Sequence, residues 1–154
     1  MDLKFRTKAA CRIAMVDPQR FNEDVAAGEY PCAPKTSSGV SRVFDQFDIA
    51  GLFVYGHLMR VYDPARFPKK VAAMYACGII NALRQRTTTD GSRVDFPLDG
   101  FNDQGIRCNG DEPPYFGNDT CRAVAATMSF DLKGIMHVVH QRMAEEANIL
   151  GEEG

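Results

Sequence analysis

The sequence predicts an α+β protein that is mostly helical. Apolar residues recur at helical spacing in five segments, whereas only residues 40–44 and 121–132 read as strands. The chain has 154 residues, of which 45% are apolar and 25% charged, which predicts one compact domain or two very small ones. There is no run of 18 apolar residues and no secretory signal, so we expect a soluble, cytoplasmic protein without a membrane partner.

Two short helices open the chain. Thr7 is the expected N-cap of a helix over residues 8–15. Asp17 and Pro18 are the expected N-cap and first position of a second helix, which runs to residue 27 and stops at Gly28. Two helices joined by so short a turn indicate a helix-turn-helix. The apolar side of the second helix leaves four residues to face outward: Gln19, Arg20, Asn22 and Glu23.

The residues after Gly28 predict a hairpin and a third helix. Pro31 and Pro34 exclude a helix, because each removes a hydrogen-bond donor and constrains the residue before it. Residues 36–39 form the expected turn of the hairpin, and residues 40–44 its returning strand. Asp45 then caps a helix that continues to about residue 60.

The net charge of −2 hides a strong asymmetry. Residues 1–86 contain 13 Lys and Arg against 8 Asp and Glu, whereas residues 87–154 contain 5 against 12. A basic half joined to an acidic half suits a polyanion-binding module followed by a part with another role. The alternative is an ordinary fluctuation of charge along the chain.

Four short motifs between residues 5 and 60 follow the order helix, turn, helix, wing, helix. They are Phe5-Arg6-Thr7, Val16-Asp17-Pro18, Gly28-Glu29-Tyr30-Pro31, and Arg42-Val43-Phe44 with Asp48-Ile49. This stretch resembles the winged helix-turn-helix of the MerR family and its phage and excisionase relatives. The resemblance implies a second helix that enters the major groove of DNA and a wing that touches the flanking phosphates.

The resemblance also implies the DNA-binding residues by position. Gln19, Arg20 and Asn22 are the expected groove residues, and Lys35 and Arg42 the expected wing contacts. At the first helix, backbone phosphates are expected to be held by Thr7, Lys8 and Arg12. This chain departs from the family on the exposed side of helix two, where Asn22, Glu23 and Asp24 stand in place of arginine and aromatic residues. We therefore expect fewer phosphate contacts from that helix.

We divide the chain into three parts. Residues 1–62 form the expected winged helix-turn-helix domain, and residues 63–86 a connecting helix that either mediates dimerisation or packs back on helices one and three. Residues 87–154 form an acidic module with sparse regular structure to about residue 118, then a strand over 121–132 and a helix over 134–147. Because this module is too small for a core of its own, we expect it to bind a partner, most simply in a homodimer.

The sequence contains no motif for catalysis or for a metal. The five cysteines form no CxxC pair, so neither a zinc site nor a disulfide framework is expected, and no cofactor or catalytic residue is predicted. The leading prediction is a sequence-specific, repressor-like DNA-binding transcriptional regulator of bacterial or phage origin. The alternatives are an accessory protein for recombination or packaging, of the excisionase or small-terminase type, and a factor that binds a host protein. Any small-molecule effector stays unassigned.

Overall fold

A computed structural model describes residues 2–61, 68–85, 93–97, 106–107 and 127–153. These residues form five helices and five short strands, which confirms the predicted α+β, mostly helical class. In chain order the elements are β1 (Phe5–Arg6), α1 (Thr7–Ala14), α2 (Pro18–Ala26), β2 (Val43–Phe44), α3 (Gln46–Val61), α4 (Lys69–Arg84), β3 (Arg93–Pro97), β4 (Ile106–Arg107), β5 (Thr127–Asp131) and α5 (Leu132–Glu153).

A three-residue turn joins α1 to α2. Met15 ends α1 in the left-handed region, at φ 59° and ψ 42°, and its N–H bonds back to the carbonyls of Arg12 and Cys11. The side chain of Asp17 accepts a hydrogen bond from the Arg20 N–H at 2.9 Å, which confirms the predicted cap of α2. The predicted cap of α1 is wrong. Thr7 is the first helical residue, because β1 holds Arg6 extended and α1 starts where that strand ends.

The predicted wing hairpin is absent from residues 30–44, which the structure describes throughout. Only Val43–Phe44 is a strand, and it pairs antiparallel with β1, with Phe5 opposite Phe44. Side-chain bonds close the intervening loop instead of a strand ladder, since Arg42 donates to the Pro34 carbonyl and Thr36 to the Val40 carbonyl. The loop therefore turns without forming the second strand that a hairpin requires.

Helix α3 packs against three other helices, α1, α4 and α5. As predicted, Asp45 caps it: its carboxylate accepts from the N–H groups of Phe47 and Asp48 at 2.9 Å, and Asp48 accepts from the Asp45 N–H at 3.1 Å. Helix α4 approaches α3 closely at Gly51, where an added Cβ would lie 2.5 Å from Ile80 Cδ1. The α3–α4 contact thus depends on glycine at this position.

A disulfide joins Cys32, in the loop after α2, to Cys77 of α4, with the two Cα atoms 5.6 Å apart. The expectation of no disulfide is therefore wrong, because sequence spacing alone does not show which cysteines the fold brings together. Cys11 is a buried free thiol whose pKa burial raises to about 12, which keeps it unreactive at neutral pH. Cys108 and Cys121 lie outside the described residues.

The C-terminal strands form an antiparallel sheet in the order β4-β3-β5, and α5 follows β5 directly. Phe96 of β3 packs its ring against Tyr75 of α4 and Phe130 of β5, which attaches the sheet to the helices. Strands β3 and β4 lie where sparse structure was expected, and of the predicted strand 121–132 the structure shows β5, while residues 121–126 lie outside its description. Within the described residues, no helix is both long and apolar enough to span a membrane.

Candidate nucleic-acid interface

Helix α2 has one buried side and one exposed side. Phe21 lies fully buried, with its ring 5.2 Å from that of Tyr30 and 5.9 Å from that of Phe44. On the opposite side Gln19, Arg20, Asn22 and Glu23 are exposed, as the apolar spacing predicts. The helix therefore presents a row of polar side chains from a well-packed base.

A polar network fixes the buried side of α2 to α3 and α4. Asp24 accepts a 2.6 Å hydrogen bond from the Tyr55 hydroxyl and a 2.8 Å bond from Lys69 Nζ. Burial, and then the hydrogen bond to Asp24, raise the pKa of Tyr55 above its usual value, so the phenol stays a donor at neutral pH. Asp24 was expected on the exposed side of α2, and this expectation is wrong, because partners 31 and 45 positions away draw it inward.

The exposed side chains of α2 form few hydrogen bonds with the described residues. Gln19 makes a 3.3 Å hydrogen bond to Glu23 one turn along the same helix. The side chains of Arg20 and Asn22 make no hydrogen bond or ion pair with any part of the chain that the structure describes. The guanidinium group of Arg20 and the amide group of Asn22 are therefore available to bind a ligand.

Several basic side chains of this half of the molecule have no acidic partner among the described residues. Throughout residues 2–61 and 68–85, ion pairs engage most of the acidic groups: Asp24 and Glu29 contact Lys69, and Asp45 and Asp48 contact Arg84. The exposed cations with no hydrogen bond or ion pair to the described residues are Lys4, Arg6, Lys8, Arg20, Lys35 and Lys70. The unneutralised charge of this half of the molecule is therefore positive.

The fold uses three of the predicted contact residues internally. Arg12 points toward α5, where its Nε lies 2.9 Å from Glu146 Oε1. Arg42 donates to the Pro34 carbonyl within its own loop, and Thr7 is half-buried at the start of α1. The other five predicted residues, Lys8, Gln19, Arg20, Asn22 and Lys35, are exposed.

Two further exposed cations, Lys4 and Arg6, flank the buried Phe5 and are not among the predicted contact residues. Alternation of charged and apolar residues over positions 4–6 is the signal that could have indicated them. In the β1–β2 pair, Arg6 stands opposite Val43, and both are exposed while Phe5 and Phe44 face the core. These residues add positive charge to the ribbon next to α1.

An open groove of about 610 Å³ lies beside the turn before α2. Three cationic residues line it, Arg20, Arg60 and Lys69, together with apolar walls that include Met15 and Met59. Arg60 donates to the Met15 carbonyl at 2.8 Å and so supports the turn itself. The carboxylates of Asp17 and Asp24 line the groove as well, and Asp24 is bonded to Lys69.

No group of three or more His, Cys, Asp and Glu that could hold a metal ion occurs among the described residues. The chain matches no protein-family model, no curated protein and no solved structure. The geometry of α2 and its charged surroundings therefore carries the functional argument by itself.

Proposed function

We propose that the protein binds double-stranded DNA through the exposed side of α2, as a sequence-specific, repressor-like transcriptional regulator of bacterial or phage origin. The observation that carries this proposal is the contrast between the two sides of α2. Phe21 and Asp24 anchor the helix in the core, while Arg20 and Asn22 are exposed and their side chains have no partner among the described residues. A rigid helix that presents such groups matches what reading of a major groove requires.

The residue chemistry assigns different roles to the exposed groups. The amides of Gln19 and Asn22 fit the paired donor and acceptor of adenine, and Arg20 fits the two acceptors of guanine. Lys8 and Lys35, with Lys4 and Arg6, supply charge for backbone phosphates, which positions the protein without reading sequence. Bound at an operator, the protein would block polymerase.

We place this activity in the cytoplasm, where bacterial DNA lies. The cytoplasm keeps most thiols reduced. The oxidation state of Cys32 and Cys77 in cells therefore tests the proposed cytoplasmic location directly. Rapid alkylation in intact cells followed by mass spectrometry measures it. We expect both cysteines to carry the alkyl group in cells and the disulfide to form after purification in air without reductant. A protein recovered from cells with the disulfide intact would contradict a reducing location.

The test of DNA binding is a titration of the full chain against a random duplex library at two salt concentrations, with the enriched sequences read out. We expect an enriched motif and an affinity that falls with salt. Salt-dependent binding without an enriched motif would refute sequence-specific binding, and no binding at either salt concentration would refute DNA binding altogether.

Single substitutions then test the roles of individual residues. Lys35→Ala should weaken binding to all sequences and lower the salt slope by about 1. Gln19→Ala should mainly relax the sequence preference, at a cost of about 1–3 kcal/mol on the preferred site. Lys133→Ala removes an exposed cation of α5 and is the matched control, for which we expect wild-type binding. Equal losses on every sequence for Lys35→Ala and Gln19→Ala would refute the division of roles.

A further inference from the structure

Helix α5 has a second row of residues beside the one that packs on the protein. Its buried row consists of Leu132, Val139, Met143 and Glu146, which face α1 and α3. The neighbouring row, at spacings of four, three and four, is Val138, Arg142, Glu145 and Ile149. Val138 is 37% exposed and Ile149 is 51% exposed, so the row has an exposed aliphatic side chain at each end.

The two charges at the middle of this row lack an acidic or basic partner among the described residues. The nearest contact of Arg142 is the sulfur of Met15, 2.8 Å from its Nη1, and sulfur is a weak acceptor. Glu145 accepts only a long 3.4 Å hydrogen bond from Gln141 of the same helix. Arg142 and Glu145 therefore carry opposite charges that could form an ion pair between two copies of the helix.

When two copies of α5 lie antiparallel, the row on one copy is complementary to the same row on the other. Set antiparallel, a second α5 places Ile149 of the partner subunit against Val138 and Glu145 of the partner subunit against Arg142. The same alignment repeats in the other direction by two-fold symmetry. A parallel arrangement would set Arg142 against an identical charge and Glu145 likewise, which is unfavourable.

The charge along the whole helix favours the same orientation. The first half of α5, residues 132–142, contains Lys133 and Arg142 and no acidic residue, whereas residues 143–153 contain four glutamates and no Lys or Arg. Antiparallel pairing sets each basic half against an acidic half. Next to Val138, a groove of about 410 Å³ with apolar walls from Phe53, Leu58 and Ile135 would receive Ile149 of the partner subunit.

From this self-complementarity we infer that a second copy of this chain docks antiparallel on α5, through Val138, Arg142, Glu145 and Ile149. The inference deepens the proposed function, since two copies carry two α2 helices and predict an operator with inverted repeats. One row of a single helix is a small contact beside the roughly 800 Å² per partner of a standard interface, so we expect a weak, reversible dimer.

The test is sedimentation equilibrium of the full chain without DNA across the micromolar range. Wild type should rise from 17.1 kDa toward twice that mass. Arg142→Glu and Glu145→Arg should each stay at 17.1 kDa, because each sets like charges against one another. The double variant Arg142→Glu/Glu145→Arg restores opposite charges and should dimerise again. Lys70→Glu reverses an exposed cation of α4, outside α5, and should dimerise like wild type.

Circular dichroism of each variant reports whether it is folded, and recovery by the double variant excludes misfolding as the cause of dissociation. Three outcomes would overturn the inference: a monomeric wild type at all concentrations, single variants that dimerise normally, or a folded double variant that stays monomeric. Because DNA is absent, any of these leaves the proposal for α2 intact. Conversely, a protein that dimerises but does not bind DNA would refute the proposed function alone.

Discussion

Two neighbouring tyrosines should respond in opposite directions to the same substitution. The hydroxyl of Tyr55 donates a 2.6 Å hydrogen bond to the buried carboxylate of Asp24. The hydroxyl of Tyr30 is buried and has no hydrogen-bond partner among the residues that the structure describes. The two rings pack edge to face with centroids 5.0 Å apart, and phenylalanine at either position preserves that contact. Tyr55→Phe and Tyr30→Phe therefore each delete one oxygen from the same part of the core.

The magnitudes follow from what each oxygen does. A hydrogen bond to a charged group contributes about 1.5–3 kcal/mol, so Tyr55→Phe should lower the free energy of unfolding by that amount. Burial of a hydroxyl without a partner costs about 1–3 kcal/mol, so Tyr30→Phe should raise the free energy of unfolding by at least about 1 kcal/mol. The two variants should then differ by about 2.5 kcal/mol or more.

Urea unfolding followed by circular dichroism measures both values, with an unchanged denaturant slope as the sign that only stability has altered. Asp24→Asn supplies a further control, because a neutral acceptor should reduce the effect of Tyr55→Phe to about 1 kcal/mol. If both phenylalanine variants shift stability in the same direction, the reasoning about these hydroxyls is refuted.

Three further predictions concern stability. Reduction of the Cys32–Cys77 disulfide, which spans 45 positions, should lower the free energy of unfolding by about 4 kcal/mol, measured by urea unfolding with and without reductant. Gly51→Ala should destabilise by about 1–3 kcal/mol in the same assay, because the new methyl group meets Ile80 at 2.5 Å. Partial burial and neighbouring positive charge lower the pKa of His140, so the unfolded chain binds more protons, and stability should fall as pH drops through about 6.5.

Each of these predictions has its own control. The double variant Cys32→Ser/Cys77→Ser should not respond to reductant, and a wild type that ignores reductant would show that the disulfide does not stabilise the fold. In an Ile80→Ala background, Gly51→Ala should become neutral or stabilising, since helix propensity then favours alanine. His140→Gln should flatten the loss of stability on acidification, and an unchanged slope would assign that loss to other groups.

The sequence predicts best where neighbours along the chain decide the structure. The start of α2 depends on Asp17 and Pro18, which lie next to each other and act through their own backbone, so the structure confirms it. The cap of α3 is similar, because Asp45 and Asp48 bond to each other's N–H groups. In both places the physical cause lies within one turn of helix.

Prediction fails where the decisive partner is distant. Asp24 looks like a surface residue until Tyr55 and Lys69 are folded against it. Turn residues 36–39 suggest a hairpin, yet Phe44 pairs with Phe5 at the start of the chain instead. Of the candidate interface, the exposed side of α2 follows from local spacing, whereas the internal use of Arg12 and Arg42 depends on contacts that spacing does not show.

The Arg12–Glu146 pair has a consequence for the time course of synthesis. Its two residues are 134 positions apart, and at about 5–20 residues per second a ribosome needs about 7–27 s to make the chain between them. During that interval α1 and α2 have already been made, while the helix that covers α1 has not. Helix α1 therefore gains its contact with Glu146 only after translation has passed that residue.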